Sequence, residues 1–163
     1  MRRYLPISGL LLLLFAAGTP AAARPAPMSD AELLSKSDLV ALVRVLSVTC
    51  TSVSKDERTG EALPSYSANV ELIEVIKGDA AKGNDVNIVF HEFPEGLLGP
   101  WNVFYYPGEM VWTHLVKQGD DYTTTWWNGR GELVHKTDIT TLPTRPGEGV
   151  AIKRIRTEHP SND

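Results

Sequence analysis

Four histidines, one cysteine and a group of clustered aromatics are the side chains from which this chain could build chemistry. A metal centre needs imidazole, thiolate or carboxylate groups that converge. His91, His114, His135 and His159 show no H-E-x-x-H spacing, and a lone cysteine leaves no C-x-x-C. His91 and Glu92 are adjacent, so on a strand they point to opposite faces, whereas His91 and His114 can meet across paired strands. With nearby carboxylates they would then serve a metal-dependent or hydrolytic enzyme of the cell envelope. No G-x-S-x-G elbow supports a serine hydrolase of that type. Glu71 and Glu74 face opposite ways on a regular strand, while glycoside hydrolysis needs two carboxylates across one cleft. Gly129-Arg130-Gly131 lacks the remainder of a nucleotide-binding loop. The sequence therefore offers no catalytic residue, no metal-ligand set and no cofactor. Cys50 cannot close an intramolecular disulfide and reads as a small buried hydrophobe, with a reactive thiol or an intermolecular disulfide as its functional alternatives.

The aromatics are the stronger signal. Trp101, Phe104, Tyr105 and Tyr106 fall in one loop, and Trp112, Trp126 and Trp127 on the strands expected after it. Core filling accounts for Trp112 and one member of the Trp126-Trp127 pair. Adjacent tryptophans on a strand cannot share a face, so the outward one is exposed or covered by the aromatic loop. Trp101, Phe104, Tyr105, Tyr106, Trp126 and Trp127 are thus the candidate binding residues for a protein, peptide or glycan partner. Tryptophan and tyrosine give large contact areas at small entropic cost. Core filling by the whole group is the alternative.

The elements that must position these residues begin after a leader. Arg2 and Arg3 form a positive n-region, residues 7–17 an apolar stretch, and Ala21-Ala22-Ala23 an Ala-x-Ala cleavage site. The stretch is shorter than the roughly 20 residues a membrane span requires. Residues 1–23 are read as a signal peptide for the general secretory route rather than the twin-arginine one. The expected product starts near Arg24 and is periplasmic or secreted. Loss of Arg2 and Arg3 lowers the basic count from 16 to 14 against 20 acidic residues, a net charge of about −6. Such an acidic balance disfavours nucleic acid and anionic membranes, which bind through basic charge. The basic Lys153, Arg154 and Arg156 read as a solvated edge or tail.

Residues 24–37 are read as a linker and a short helix over 30–36, opened by a Ser29/Glu32 capping box, with Leu33 and Leu34 as its buried face. Residues 39–51 form the first strand. Its first half is apolar on both faces and needs a cover, which the helix can supply. Tyr66, Ala68, Val70 and Leu72 alternate with Ser67, Asn69 and Glu71, the period of a strand with one dry face. The alternation slips at Leu72-Ile73, as a β-bulge at a barrel corner produces. Residues 55–64 join these two strands as a polar hairpin loop. Val86, Ile88 and Phe90 mark a third strand, residues 109–117 a fourth and 122–127 a fifth. Asn128-Gly129 predicts a hairpin returning through 131–136. Residues 140–163 are expected to be a loosely ordered C-terminal extension. No internal repeat or second domain is seen. The result is a mainly β domain over 38–139: a small five- to six-stranded antiparallel barrel, closed or nearly so, with one short flanking helix.

Three phrases carry a family resemblance: residues 37–45 (Ser-Asp-Leu-Val-Ala-Leu-Val-Arg-Val), residues 66–78 ending in Lys77-Gly78, and Gly108-Glu109-Met110-Val111-Trp112. Together they resemble secreted bacterial proteins similar to the netrin-like module and the tissue inhibitors of metalloproteinases. The resemblance covers roughly residues 37–127 and implies an oligonucleotide/oligosaccharide-binding (OB) type barrel. Those inhibitors chelate a protease zinc through an N-terminal cysteine, and Cys50 is the only cysteine here, so that mechanism does not carry over. The expected function is a non-enzymatic exported interaction module. The envelope enzyme using His91 and His114 is the alternative, and a structural accessory subunit of an envelope assembly is a third reading.

Overall fold

The computed structural model of the chain describes residues 25–94 and 101–153. The predicted leader and its cleavage site, residues 95–100 of the aromatic loop, and Arg154 and Arg156 lie outside the described residues. The described chain is mainly β. It contains one helix, α1 (Asp30–Lys36), and strands β1 (Leu39–Lys55), β2 (Ala62–Lys77), β3 (Asp85–His91), β4 (Met110–Gln118), β5 (Asp121–Thr124), β6 (Arg130–His135) and β7 (Gly149–Ala151). No helix among the described residues is long and apolar enough to cross a membrane.

The capping box forms as the sequence implies. The Glu32 carboxylate accepts from the Ser29 amide at 2.9 Å, and the Ser29 hydroxyl accepts from the Glu32 amide at 3.3 Å. A helix this short has one buried side, and neighbours along it diverge by about 100°. Leu33 is therefore 3 % exposed while Leu34 is 44 % exposed, correcting the expectation that both are buried.

β1 is the organising strand. One edge pairs with β2 from Val40 to Lys55, and the other with β4 and then β7. The β1–β2 hairpin runs to Lys55↔Ala62, so the predicted 55–64 loop shrinks to residues 56–61. There Asp56 Oδ1 accepts from the amides of Arg58 and Thr59 and from the Thr59 hydroxyl. Opposite Leu42 and Val43, β2 skips Ile73, a register shift at the predicted slip. That extra residue has a second effect. Glu71 and Glu74 now lie opposite Arg44 and Leu42, so both point to one side.

The sheet order is β6-β4-β5-β3-β2-β1-β7 with an additional β4–β1 pairing, which bends the sheet into a partial ring. Seven strands rather than five or six are present among the described residues, and the sheet is mixed rather than antiparallel. The exception to antiparallel pairing is β3 with β5, joined through the single parallel pair Ile88↔Tyr122. The Asn128-Gly129 turn also behaves differently from a hairpin. β6 does not return along β5, and both lie along the same edge of β4, opposite β1. Between them residues 125–129 loop out, pinned by the backbone of His114. Its carbonyl accepts from the Thr125 amide at 2.9 Å, and its amide donates to the Gly129 carbonyl at 2.8 Å. Trp126 and Trp127 therefore sit on an excursion rather than on the predicted fifth strand.

The inner face collects Leu39, Ala41, Val43 and Val45 of β1, Tyr66, Ala68, Val70 and Leu72 of β2, Ile88 and Phe90 of β3, and Val111 and Leu115 of β4. The core aromatics are Tyr66, Phe90 and Tyr105, whereas Trp112 and both members of the Trp126-Trp127 pair are only half-buried. This overturns the assignment of Trp112 and one of that pair to the core. The C-terminal segment is also tied down as far as Ala151. β7 pairs with Ser47–Thr49, the Cys50 amide donates to the Glu148 carbonyl at 2.9 Å, and Leu142 packs against the core.

Candidate binding cleft

The single-pair junction between β3 and β5 positions the site. Past Ile88↔Tyr122 no further pair forms between the two strands. Phe90 and His91 on one side and residues 123–125 on the other become walls of a cleft of about 180 Å³. Phe93, Trp101, Trp126 and Trp127 complete the lining with Val103. Tyr105 lies beneath, fully buried, with its ring centroid 5.6 Å from that of Phe90. Its hydroxyl shares hydrogen bonds with Thr113 Oγ1 at 2.7 Å and Thr124 Oγ1 at 2.9 Å, linking β4 and β5 beneath the cleft. Burial pushes the Tyr105 phenol above its usual range.

The six aromatics singled out from the sequence separate into three places. Trp101, Trp126 and Trp127 meet at the cleft, with the Trp101 and Trp127 rings 6.3 Å apart and tilted by 59°. Phe104 and Tyr106 lie on an adjoining hollow of about 290 Å³ shared with Asn102, Trp127 and Arg130. Tyr105 belongs to the core and leaves the candidate set. His91, a candidate only for the enzyme alternative, stands in the cleft wall, and the wall residues Phe90, Phe93 and residues 123–125 are not singled out by the sequence. Their alternation marks strands, but where two strands part company depends on pairing partners far along the chain.

The Trp126-Trp127 excursion is held from the N-terminal side. Trp126 Nε1 donates to the Ala26 carbonyl at 3.0 Å, Asn128 Nδ2 donates to the Met28 carbonyl at 2.8 Å, and the Met28 amide donates to Asn128 Oδ1 at 3.1 Å. The Ser37 and Thr125 hydroxyls add a contact at 2.8 Å. Close by, Arg130 Nη2 donates to Glu109 Oε2 at 2.8 Å. Burial raises the Glu109 carboxyl above the usual carboxylate range, with Arg130 partly opposing it. Glu109 Oε1, Arg130 Nε and Trp127 Nε1 are buried without a hydrogen-bond partner among the described residues.

The cross-strand meeting of His91 and His114 that the enzyme alternative needs does not form, because β3 and β4 are not neighbours. The His91 ring lies against Phe93 at 4.5 Å, and His114 Nδ1 is 3.3 Å from the Gly129 carbonyl oxygen. Among the described residues no group of three or more histidine, cysteine or acidic side chains could hold a metal ion. Cys50 is buried with Sγ 3.5 Å from the Ser52 carbonyl oxygen, and burial pushes its thiol up. No family model, curated protein or solved structure matches the chain.

Proposed function

We propose that this chain is an exported, non-enzymatic binding module of the OB type, whose aromatic cleft engages a protein, peptide or glycan partner. One observation carries the reading. Trp101 is 52 % exposed yet held at ring-contact distance from Trp127 over a cleft whose described lining carries no carboxylate, ammonium or guanidinium group. An indole left in water beside a preformed apolar surface offers contact area at little further entropic cost. The partial ring through β1, β2, β3, β5 and β4 supports a five-stranded, partly open barrel, with β6 and β7 as additions. The netrin-like resemblance belongs to the same reading and extends to architecture only, because an analogous fold does not transfer a function. Export rests on the leader, and the acidic balance disfavours nucleic acid as the partner.

The test is to probe peptide and glycan arrays with the purified chain and with Trp101→Ala. The expected result is capture of a ligand by the wild type, with affinity falling about tenfold in the variant at an unchanged melting temperature. Equal binding by both proteins, or a loss of binding matched by a loss of stability, would return Trp101 to packing.

A further inference from the structure

We infer that the ligand class of this cleft is an extended peptide, laid as a strand along the edge of β3 at His91, with one uncharged apolar side chain seated in the socket lined by Trp101, Trp126 and Trp127. The inference rests on the cleft being the binding site proposed above. Its starting point is the direction of backbone groups around the break. The Glu92 amide donates to the Pro64 carbonyl, toward β2. Backbone groups alternate in direction along a strand, so the amide and carbonyl of His91 turn away from β2, to the side on which β5 lies. On the facing strand the Thr125 amide donates to His114, toward β4, which turns the amide and carbonyl of Thr124 toward β3.

In a continuous parallel ladder these groups would bond one another. Here the ladder stops after Ile88↔Tyr122, and no backbone bond between described residues outside the strand ladders engages His91 or Thr124. An interrupted strand edge is a template for a further strand. The break coincides with the aromatic walls, so the same ligand meets a backbone edge and a side-chain socket.

The socket limits the side chain. A cavity of about 150 Å³ accommodates a benzene-sized ring, and drug-sized ligands occupy roughly 300 Å³ or more. About 180 Å³ therefore suits one ring or one branched aliphatic group. Among the described residues no carboxylate, ammonium or guanidinium group lines it, and His91 is the titratable side chain at its wall, so a neutral apolar residue is the better fit than a charged one. A sugar ring could stack on the same indoles but would leave the backbone edge unread.

The probe is an array of heptapeptides with Trp, Phe, Tyr, Leu or Pro at the centre and uncharged flanks, followed by an N-methylation scan of the tightest binder. Strand addition uses every second ligand amide. Methylation at alternate amides should weaken binding about tenfold and at the intervening amides less than about twofold. Trp101→Ala should weaken the same peptide about tenfold at unchanged melting temperature. Uniform indifference to methylation, binding of glycans only, or failure of every peptide would overturn the peptide-strand inference, and the first two would leave the binding-module reading standing. Peptide binding untouched by Trp101→Ala would remove both.

Discussion

Glu109, just ahead of β4, and Arg130, which opens β6, meet at 2.8 Å with 3 % and 24 % of their side chains exposed. The pair is asymmetric. Arg130 reaches water and can be rehydrated if its partner is lost, whereas Glu109 would be left as a buried carboxylate with one oxygen already lacking a partner.

Arg130→Met should therefore destabilise the protein by about 3 kcal/mol near neutral pH. The cost should shrink by about pH 4, where protonation removes the stranded charge. Denaturant unfolding at both pH values checks this. Equal cost at each would mean that packing, rather than charge, is what Arg130 supplies.

Glu109 also gives stability a pH dependence of definite sign. Its folded-state proton affinity is raised by burial despite Arg130. The folded state thus holds the proton more tightly than the unfolded chain does. The resulting stabilisation is complete below the ordinary carboxylate range and is lost as pH rises through the raised folded value. Glu109→Gln cannot lose a proton, so its stability relative to the wild type should improve as pH climbs from about 4 toward neutrality. A flat difference across that range would show that burial does not govern this carboxyl.

Tyr105 and Tyr106 are neighbours with opposite expectations. Tyr105 is fully buried and bonds two threonine hydroxyls, so Tyr105→Ala should cost about 3–5 kcal/mol and Tyr105→Phe about 1–2 kcal/mol. Tyr106, half-buried beside Phe104, should lose roughly half as much as Tyr105 on truncation to alanine. Thermal unfolding of the three variants gives the order, and a Tyr106 cost equal to that of Tyr105 would contradict the assignment.

Gly78 adopts φ +112, and an added Cβ would lie 2.8 Å from the Asp38 carbonyl oxygen; Gly60 adopts φ +73 with open space around it. Gly78→Ala must displace backbone as well as strain it and should cost at least about 3 kcal/mol, against about 1 kcal/mol for Gly60→Ala. Denaturation midpoints that do not separate the two would show that the β2 terminus can shift away from Asp38.

Asn128→Ala removes both hydrogen bonds to Met28. Residues 25–28 should then exchange amide hydrogens faster and be trimmed more readily by protease, while global stability falls by about 1 kcal/mol. Unchanged exchange in that segment would mean that the Trp126 bond to Ala26 suffices to hold it.

What could be read in the sequence was local. The Ser29/Glu32 cap and the Tyr66-Ala68-Val70-Leu72 alternation are decided by residues a few positions apart, and both appear where expected. Asn128-Gly129 announces a turn, but a turn dipeptide does not say which strand the chain joins afterwards, and the vacant edge of β4 took β6. Tyr105 reads as a loop aromatic in the sequence because the threonines that share hydrogen bonds with its hydroxyl stand on β4 and β5. The cleft was not legible for the same reason, since it exists where the β3–β5 ladder ends.

β1 holds three partners, and two of them, β4 and β7, are supplied by distant parts of the chain. Until β4 has been synthesised, the hairpin of β1 with β2 displays the apolar stretch from Leu39 to Val43 along an uncapped edge. An unpaired strand edge of this kind is open to pairing with another chain, and pairing that must first close a long loop is slow. The order in which β1's partners become available, rather than the stability of the finished sheet, is thus where this topology is exposed to self-association.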